Sequence, residues 1–458
     1  MYKYRDLIIL VSVAIVVRLY EYVMYGPIMV PDSDTYISYA QCLLDGTCTL
    51  GMPGSLSMLQ PSLIRLAGYP LFIAMNLIIF GDWWSYSLVA IQMLCGCITV
   101  IFVYRIAELL TSKRCAFIAA IIYSISSTIM YESWVSTDFL YAFFIISTFY
   151  VILIGKSGLW RIILAGLLYT MSALIRQTGP LLLIFPMVLI YIRNKSVKSC
   201  ALFAIPLIVM MLSYSIWNKV RADTWQMCPF DGYDLMDRYL DYGKFDKDDE
   251  ISRLAKVAFA DDQRCLTPEG RNGSDCLWIL GAGIQKELDV DQIEVNRILR
   301  KMAILEYIRH PVQQIISTAK YTMAGMNMFE SSMLRNVFGK KKVLEQWKQL
   351  ARWTLTIGKS ELTIPRSEIY WSLSKLGVRL ISAFILLLNI VYFILLIFKK
   401  IVGNVPIKIV LMLFSMFVIL LTSFVSYGNT RFFLPVFPFM IIFAVDCLRY
   451  IAAMKSAE

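Results

Sequence analysis

Long apolar runs, separated by short polar segments, make up most of the chain. About ten of these runs approach the roughly 17–25 residues that an α-helix needs to cross a bilayer. They lie near residues 6–25, 86–110, 115–131, 138–155, 160–176, 179–194, 199–219, 376–398, 408–426 and 431–451. The first run is treated as a retained helix, because no small-residue cleavage site of a signal peptide follows it. The pattern predicts an all-α polytopic membrane protein.

Two shorter helices are predicted between the first two spans. Residues 33–45 show an amphipathic helical pattern. Residues 67–81 form an apolar run that is short for a span, which needs about 20 residues. The stretch Asp82-Trp83-Trp84 then marks a membrane–water boundary, where tryptophan is enriched. We therefore expect interfacial or re-entrant helices on this face of the membrane.

The segment 220–375 is the only substantial hydrophilic region of the sequence, and we expect it to be mostly helical. Residues 290–309 carry apolar positions at helical spacing, and residues 311–328 form a second apolar-faced helix that begins with proline. The basic cluster Lys340–Lys342 is either a solvated face or a contact for anionic lipid or glycolipid phosphate.

Lysines and arginines indicate the orientation of the spans. They concentrate in alternate short loops, as the positive-inside rule requires, at Lys3, Arg5, Lys113, Arg114, Lys156, Arg161, Arg193, Lys195, Lys198, Lys399, Lys400, Lys408 and Lys455. With ten spans these residues share the cytoplasmic face, and both termini lie there. The predicted parts are a seven-span module with outer loops 26–85 and 132–138, an extracytoplasmic segment and a three-span module, at residues 1–219, 220–375 and 376–458.

Composition supports a membrane protein. The 458 residues are 58% hydrophobic and 17% charged, with a mean hydropathy of +0.63. Soluble domains have about 45–50% apolar and about 25% charged residues. The net charge of +11 does not indicate nucleic-acid binding, because the basic residues lie between apolar runs. The single histidine, His310, argues against a histidine-rich metal site or a histidine-based catalytic triad.

Cysteines on the predicted outer side form two plausible disulfides in an oxidising compartment, Cys42 with Cys48 and Cys265 with Cys276. Cys228 would be left over. Connectivity cannot be read from spacing alone.

Carboxylates at the outer membrane surface are the main candidates for chemistry. Asp32 follows the first span, ahead of Asp34 and Tyr36, and Glu132 and Asp138 lie in the short loop between spans three and four. A carboxylate near hydrocarbon is unfavourable and therefore suggests a function. It can act as a general base or bind a cation. The alternative for Asp32 is that it caps a short helix.

Three arginines lie at span ends on the same outer side, against the positive-inside trend: Arg65, Arg176 and Arg431. A guanidinium group is well suited to bidentate binding of phosphate. Together with a carboxylate base, they suggest group transfer from a lipid phosphate. The alternative is that these arginines form internal salt bridges with the same carboxylates.

Short motifs on the predicted outer side occur in a fixed order. They are Asp32-Ser33-Asp34-Thr35-Tyr36, Arg65 to Phe72, Glu132 to Leu140, Leu174 to Gly179, Tyr307 to Pro311 and Thr430 to Pro438. Together they resemble the GT-C superfamily of integral-membrane glycosyltransferases. Within it they are most similar to the family 39-like group of protein mannosyltransferases and aminoarabinose transferases.

The resemblance implies a role for each matching residue. Asp32 would be the general base, with Asp34 as the alternative, and Asp138 or Glu132 would orient the acceptor or help to bind a metal. The donor phosphate would be bound by Arg65, Tyr69, Arg176 and Arg431. Supporting positions would be Asp34, Tyr36 and Glu132.

The resemblance also implies a reaction: a sugar moves, with inversion, from a polyprenyl-phosphate donor to a hydroxyl of a glycan, glycolipid or protein. The partners are this donor, the acceptor and the bilayer, with no nucleic acid. No nucleotide or organic cofactor is expected, because no glycine-rich phosphate loop precedes a strand. A divalent cation is left open. The expected location is a bacterial inner membrane with the site facing the periplasm, where lipopolysaccharide is one possible acceptor.

Two other functions compete with this one. An O-antigen polymerase or ligase also uses lipid-linked glycans and outer arginines, but usually lacks the spacing of Asp32 to Tyr36. A non-enzymatic transporter of lipid-linked sugar would often show internal repeats or broken helices in corresponding halves, and neither is apparent.

Overall fold

A computed structural model of the chain describes residues 5–46, 61–126, 128–154, 158–240, 242–243, 245, 250–267, 275–325, 352–357, 360–398, 401, 403–425 and 430–455. Helices of the first half are α1 (Arg5–Tyr25), α2 (Ser33–Asp45), α3 (Pro61–Ile64), α4 (Gly68–Phe80), α5 (Trp84–Leu110), α6 (Lys113–Ser124), α7 (Thr128–Ser133), α8 (Thr137–Leu153), α9 (Leu159–Ile175), α10 (Ile184–Asn194) and α11 (Val197–Ala222). Those of the second half are α12 (Asp231–Leu240), α13 (Glu250–Ala258), α14 (Asp275–Leu288), α15 (Gln292–Arg309), α16 (Pro311–Gly325), α17 (Arg366–Ile397), α18 (Val405–Val425) and α19 (Phe437–Lys455).

The all-α fold class is confirmed, with one small exception. Strands β1 (Arg352–Ile357) and β2 (Ser360–Pro365) form an antiparallel hairpin, in which Thr354 lies opposite Thr363. Short 3₁₀ turns at Gly81–Trp83, Pro180–Leu182, Gln263–Leu266 and Thr430–Phe433 complete the described structure.

The chain is an integral membrane protein. Among the described residues, 6 helical stretches are long and apolar enough to cross a membrane: Arg5–Tyr25, Gly68–Leu110, Val197–Ala222, Leu380–Ile397, Val405–Phe424 and Phe437–Met454. Three further apolar helices, Thr137–Leu153, Leu159–Ile175 and Pro180–Asn194, are shorter. The total of ten spans and the orientation of the termini stay predictions.

One predicted span is wrong in its detail, because residues 115–131 do not form a single helix. Helix α6 ends at Ser124 and α7 begins at Thr128. The hydroxyl of Ser126 donates to the carbonyl of Tyr123 at 2.8 Å and lies 2.9 Å from the hydroxyl of Thr128. Such side-chain bonds compete with the helical backbone bonds and favour a break.

The membrane helices share one apolar core. Helix α5 packs against α1, α4, α6 and α8, while α8 packs against α9, and α17 packs against α19. Aliphatic side chains such as Ile8, Val23 and Ile78 remain exposed on the outside of this bundle. Exposed apolar side chains on spanning helices are the surface that lipid covers.

Helices α12 to α15 form a separate helical unit in the predicted extracytoplasmic segment. Tyr239, Phe259 and Leu299 lie in its own apolar core, and the predicted disulfide Cys265–Cys276 is present. Cys42 is also disulfide-bonded, while Cys48 lies outside the described residues. Cys228 has a free thiol, as predicted. The two helices predicted for 290–309 and 311–328 are confirmed as α15 and α16, and Lys340–Lys342 lies outside the described residues.

Candidate active site

Backbone pairing holds two distant loops together at one end of the membrane bundle. Ile28 and Trp134 form an isolated parallel bridge. The backbone N–H of Ile28 donates to the carbonyl of Ser133 at 2.9 Å, and that of Val135 donates to Ile28 at 3.0 Å. The hydroxyl of Ser33 adds a bond to the carbonyl of Val135 at 2.8 Å. These bonds place the start of α2, which follows Asp32, beside the start of α8, which carries Asp138.

Asp32 lies between two arginines. Its Oδ1 accepts from Arg65 Nη2 at 2.7 Å, and its Oδ2 accepts from Arg431 Nη1 at 2.8 Å. It occupies the N-cap position of α2 but makes no side-chain capping bond, so the capping alternative is not supported. Burial alone would raise the pKa of Asp32, but the charges of Arg65 and Arg431 outweigh burial and lower the pKa below its usual value.

Asp138 completes the charged cluster from the first turn of α8. Its side chain is 2% exposed and accepts a hydrogen bond from Arg176, and its Oδ2 lies 4.0 Å from Arg431 Nη1. The ring of Phe432 lies 4.5 Å from Arg176 Cζ and 5.0 Å from Arg431 Cζ, measured to the ring centroid. Internal salt bridges therefore do form, yet Arg65, Arg176 and Arg431 outnumber the two carboxylates that they contact.

The side chain of Arg65 is oriented by the first turn of α2. Its Nε donates to Thr35 Oγ1 at 3.0 Å, and its Cζ lies 4.8 Å from the centroid of the Tyr36 ring. The Tyr36 hydroxyl in turn lies 3.3 Å from Thr137 Oγ1. Tyr36 is buried and Asp34 is exposed, and the supporting roles predicted for both stay predictions.

Tyr69 lies behind the cluster. Its side chain is fully buried, its hydroxyl donates to Gln92 Oε1 at 3.2 Å, and its ring packs edge-on against Tyr36 at 5.3 Å. In this arrangement Tyr69 packs behind Tyr36 and its hydroxyl is engaged by Gln92. Its predicted contact with the donor phosphate stays a prediction.

The predicted position of Glu132 in an outer loop is wrong. Glu132 is fully buried in α7, and its carboxylate accepts two bonds from Arg18 of α1, from Nε and Nη2, each at 2.7 Å. Gly96 of α5 leaves room for this pair, since a Cβ there would lie 2.3 Å from Glu132 Oε2. The sequence feature that could have indicated this buried ion pair is Arg18, a charged residue inside the first apolar run.

A groove begins at the cluster and runs between membrane helices. It is small, with a cavity volume of about 20 Å³, room for roughly one water molecule. Arg176 lies at its polar end, and the remaining lining residues are mainly apolar or aromatic: Tyr141, Thr178, Leu182, Val418, Leu421, Thr422 and Phe432. Arg176 is thus next to an apolar surface between the helices, although the space there is too small to enclose a lipid chain.

A further carboxylate, Asp234 of α12, reaches this region from the helical unit of α12 to α15. Its Oδ2 accepts from Gln177 Nε2 at 2.7 Å, next to Arg176 in the chain. Burial raises the pKa of Asp234 to about 7, although the nearby charges of Arg65 and Arg176 oppose that shift. The sequence analysis missed Asp234, because 57 residues separate it from Gln177 and α12 was not recognised as a helix.

The described residues do not fit a divalent cation. Among them, no group of three or more His, Cys, Asp or Glu side chains is arranged to hold a metal ion. Asp32 and Asp138 already carry arginine partners, which oppose a second cation at the same oxygens. No step proposed below passes through a metal.

One family of known proteins matches part of the chain. The family described as dolichyl-phosphate-mannose-protein mannosyltransferase matches residues 67–217, about a third of the sequence. That stretch contains Asp138 and Arg176, whereas Asp32, Arg65 and Arg431 lie outside it. The match confirms the resemblance to protein mannosyltransferases that the motifs indicated. No curated protein matches the chain in sequence.

Three solved structures align with nearly the whole chain at low identity. The apo oligosaccharyltransferase of Archaeoglobus fulgidus aligns over 99% of this chain and 52% of its own, with 13% identity and a TM-score of 0.43. AglB from the same organism, in complex with an inhibitory peptide and a dolichol-phosphate, aligns over 100% and 52%, with 12% identity and a TM-score of 0.41. ArnT from Cupriavidus metallidurans, bound to undecaprenyl phosphate, aligns over 98% and 79%, with 11% identity and a TM-score of 0.38. The chain spans about half the length of the oligosaccharyltransferases.

Proposed function

We propose that the chain is a membrane glycosyltransferase that transfers a sugar from a polyprenyl-phosphate donor to a hydroxyl of an acceptor. The observation that carries this proposal is the cluster of Arg65, Arg176 and Arg431 around Asp32 and Asp138 at one end of the membrane bundle. The match of residues 67–217 to a family whose description names a lipid-phosphate sugar supports the same chemistry.

The donor phosphate binds to the arginines, and its lipid chain lies along the apolar side chains beside Arg176, such as Val418 and Phe432. Phosphate offers the guanidinium groups the same bidentate geometry as a carboxylate. It therefore competes with Asp32 and Asp138 for Arg431 and Arg65. The salt bridges of the cluster let the carboxylates hold the arginines in place.

Asp32 then acts as the general base. Once phosphate engages Arg65 and Arg431, the Asp32 carboxylate loses part of their stabilisation and its pKa rises toward its usual value. It takes the proton of the acceptor hydroxyl, whose oxygen attacks the anomeric carbon from the face opposite the phosphate. The bond from that carbon to the phosphate oxygen breaks, and the polyprenyl phosphate leaves with the electron pair, stabilised by the arginines. Asp138 orients the acceptor, and the sugar is inverted.

The proposal also includes the side of the membrane that the site faces and the class of acceptor. The site faces the periplasm of a bacterial inner membrane, with both termini cytoplasmic, because the basic loops lie on the opposite side of the predicted spans. The acceptor is a glycan, a glycolipid such as lipopolysaccharide, or a protein.

A transfer assay with the purified protein tests the proposal. We would supply a panel of polyprenyl-phosphate sugars with a bacterial membrane extract and measure both labelled acceptor and released polyprenyl phosphate. Equal amounts of the two products are expected, with inversion at the anomeric carbon. Donor that crosses proteoliposome membranes intact, without release of polyprenyl phosphate, would instead favour a transporter. Transfer of a whole glycan chain from a diphosphate carrier would favour the polymerase or ligase alternative.

A further inference from the structure

Asp234 connects the helical unit of α12 to α15 with the charged cluster. Its Oδ2 accepts from Gln177 Nε2 at 2.7 Å, and Gln177 directly follows Arg176, which binds Asp138. The Asp234 side chain is half-buried and Gln177 is exposed, so the carboxylate lies at the edge of the site where a water-soluble group can approach.

Asp32 and Asp234 both lie close to Arg65. Arg65 donates to Asp32 at 2.7 Å and lies near enough to Asp234 to lower its pKa against the effect of burial. The charge of Arg65 therefore acts on both carboxylates, one from α2 and one from α12. The charged and titratable groups facing Asp234 from the packed elements are Arg65, Arg176, Cys228, Asp231 and Tyr307.

Contacts other than that of Asp234 also dock α12 against its neighbours. Arg238 of the same helix donates to the carbonyls of Ser317 and Ser423, and the Tyr307 hydroxyl donates to the carbonyl of Leu235. An asparagine at position 234 could keep the bond from Gln177. Because burial raises the pKa of Asp234, the ionised carboxylate lowers the stability of the folded protein at neutral pH. A purely structural role would favour the neutral side chain.

We propose that Asp234 binds the acceptor, accepting a hydrogen bond from a second hydroxyl beside the one that Asp32 deprotonates. This inference rests on the proposed function and narrows its acceptor to a polyhydroxylated molecule, a carbohydrate. A serine or threonine side chain offers a single hydroxyl, whereas this arrangement needs one hydroxyl at Asp32 and another at Asp234. Asp234 takes no proton in the reaction. The proton passes to Asp32 and the leaving electron pair to the phosphate, as described above.

Two substitutions separate acceptor binding from a structural role. Asp234→Asn removes the charge but keeps the bond from Gln177, whereas Gln177→Ala removes the bond and keeps the charge. Asp223→Asn is the matched control, since Asp223 lies on the protein surface and asparagine tolerates its left-handed backbone (φ +51°). We would measure transfer of labelled sugar from the polyprenyl-phosphate donor while varying a bacterial membrane glycolipid fraction or, separately, a membrane protein fraction.

The expected result is specific to the acceptor. Asp234→Asn should raise the half-saturating glycolipid concentration by about tenfold or more, the loss typical of a hydrogen bond to a charged group, while half-saturation by donor is unchanged. Gln177→Ala and Asp223→Asn should behave nearly like the wild type. The half-saturating concentration for the wild type should also fall as pH rises through about 7, as Asp234 ionises, and Asp234→Asn should abolish this dependence.

Three results would overturn the inference. They are normal acceptor saturation in Asp234→Asn, equal losses in Asp234→Asn and Gln177→Ala, and sugar incorporated only into the protein fraction. A wild type that transfers to neither fraction would instead contradict the proposed function itself, so the two failures are distinguishable.

Discussion

Arg431 is the residue on which the geometry of the cluster depends most. Its Nη1 lies 2.8 Å from Asp32 and 4.0 Å from Asp138, so one guanidinium group bridges the proposed base and the second carboxylate. The constellation of Asp32, Arg65 and Arg431 was predictable, because each residue is a charge at the end of an apolar run. Salt bridges among these groups were one of the two alternatives, but which arginine pairs with which carboxylate was not predictable, because 399 residues separate Asp32 from Arg431.

Arg431→Ala should chiefly weaken donor use, because it removes one phosphate contact from the site. We expect the half-saturating donor concentration to rise by about tenfold or more, the loss typical of a charge-assisted hydrogen bond. The measurement is transfer rate against donor concentration, with Arg105→Ala as the control, since Arg105 pairs with Glu108 on the same helix. Unchanged donor saturation in Arg431→Ala would contradict the phosphate assignment.

For the Arg18–Glu132 pair we expect an effect on stability, because the pair is buried and lies outside the cluster. Glu132→Gln leaves the Arg18 charge without its partner, which typically lowers stability by about 3–5 kcal/mol. The double variant Arg18→Met and Glu132→Gln should recover part of that loss. Thermal unfolding in detergent measures both. A Glu132→Gln protein of normal stability but without activity would indicate that Glu132 takes part in the reaction.

At the scale of elements, local patterns were reliable where one segment determines its own structure. Residues 33–45 coincide with α2, and the start of α16 coincides with Pro311, since amphipathic spacing and proline act locally. The break between α6 and α7 and the bridge from Ile28 to Trp134 were not predicted. The first depends on side-chain hydroxyl bonds, and the second joins loops that are distant in the sequence.

Gly68 shows how close packing of elements positions the site. A Cβ there would lie 2.7 Å from the backbone carbonyl of Leu174, just before the loop that carries Arg176. Gly68→Ala should therefore displace that loop and reduce transfer at low donor concentration. Gly158→Ala is the control, because a Cβ at Gly158 meets nothing within 4 Å. Equal donor saturation in the two variants would contradict the proposed positioning.

At the scale of the whole molecule, the membrane bundle and the helical unit of α12 to α15 meet at the cluster. Apolar runs alone predicted the bundle, because each span must bury its own backbone bonds in lipid. The contribution of the helical unit to the site was not predictable. It depends on how α12 docks against the bundle, which no local pattern specifies.

For the molecule as a whole, the testable prediction concerns the orientation of the spans in the membrane. With both termini cytoplasmic, Asp223→Cys after α11 should react from outside intact cells with a membrane-impermeant thiol reagent. Lys195→Cys, on the opposite face, should react only after permeabilisation. Labelling of the wild type measures the background reaction of the native cysteines. The reverse pattern would contradict the predicted topology.

The most direct test of the account compares sugar transfer by the wild type and Asp32→Asn, with the exposed residue change Asp82→Asn as control. The substitution keeps the shape of Asp32 but removes the base that takes the acceptor proton. If Asp32 is the general base, the wild type and Asp82→Asn should both transfer the sugar. Asp32→Asn should fold normally but lose at least about 100-fold in transfer rate. Equal transfer by Asp32→Asn and the wild type would contradict the account, because the proton would then pass to a different carboxylate.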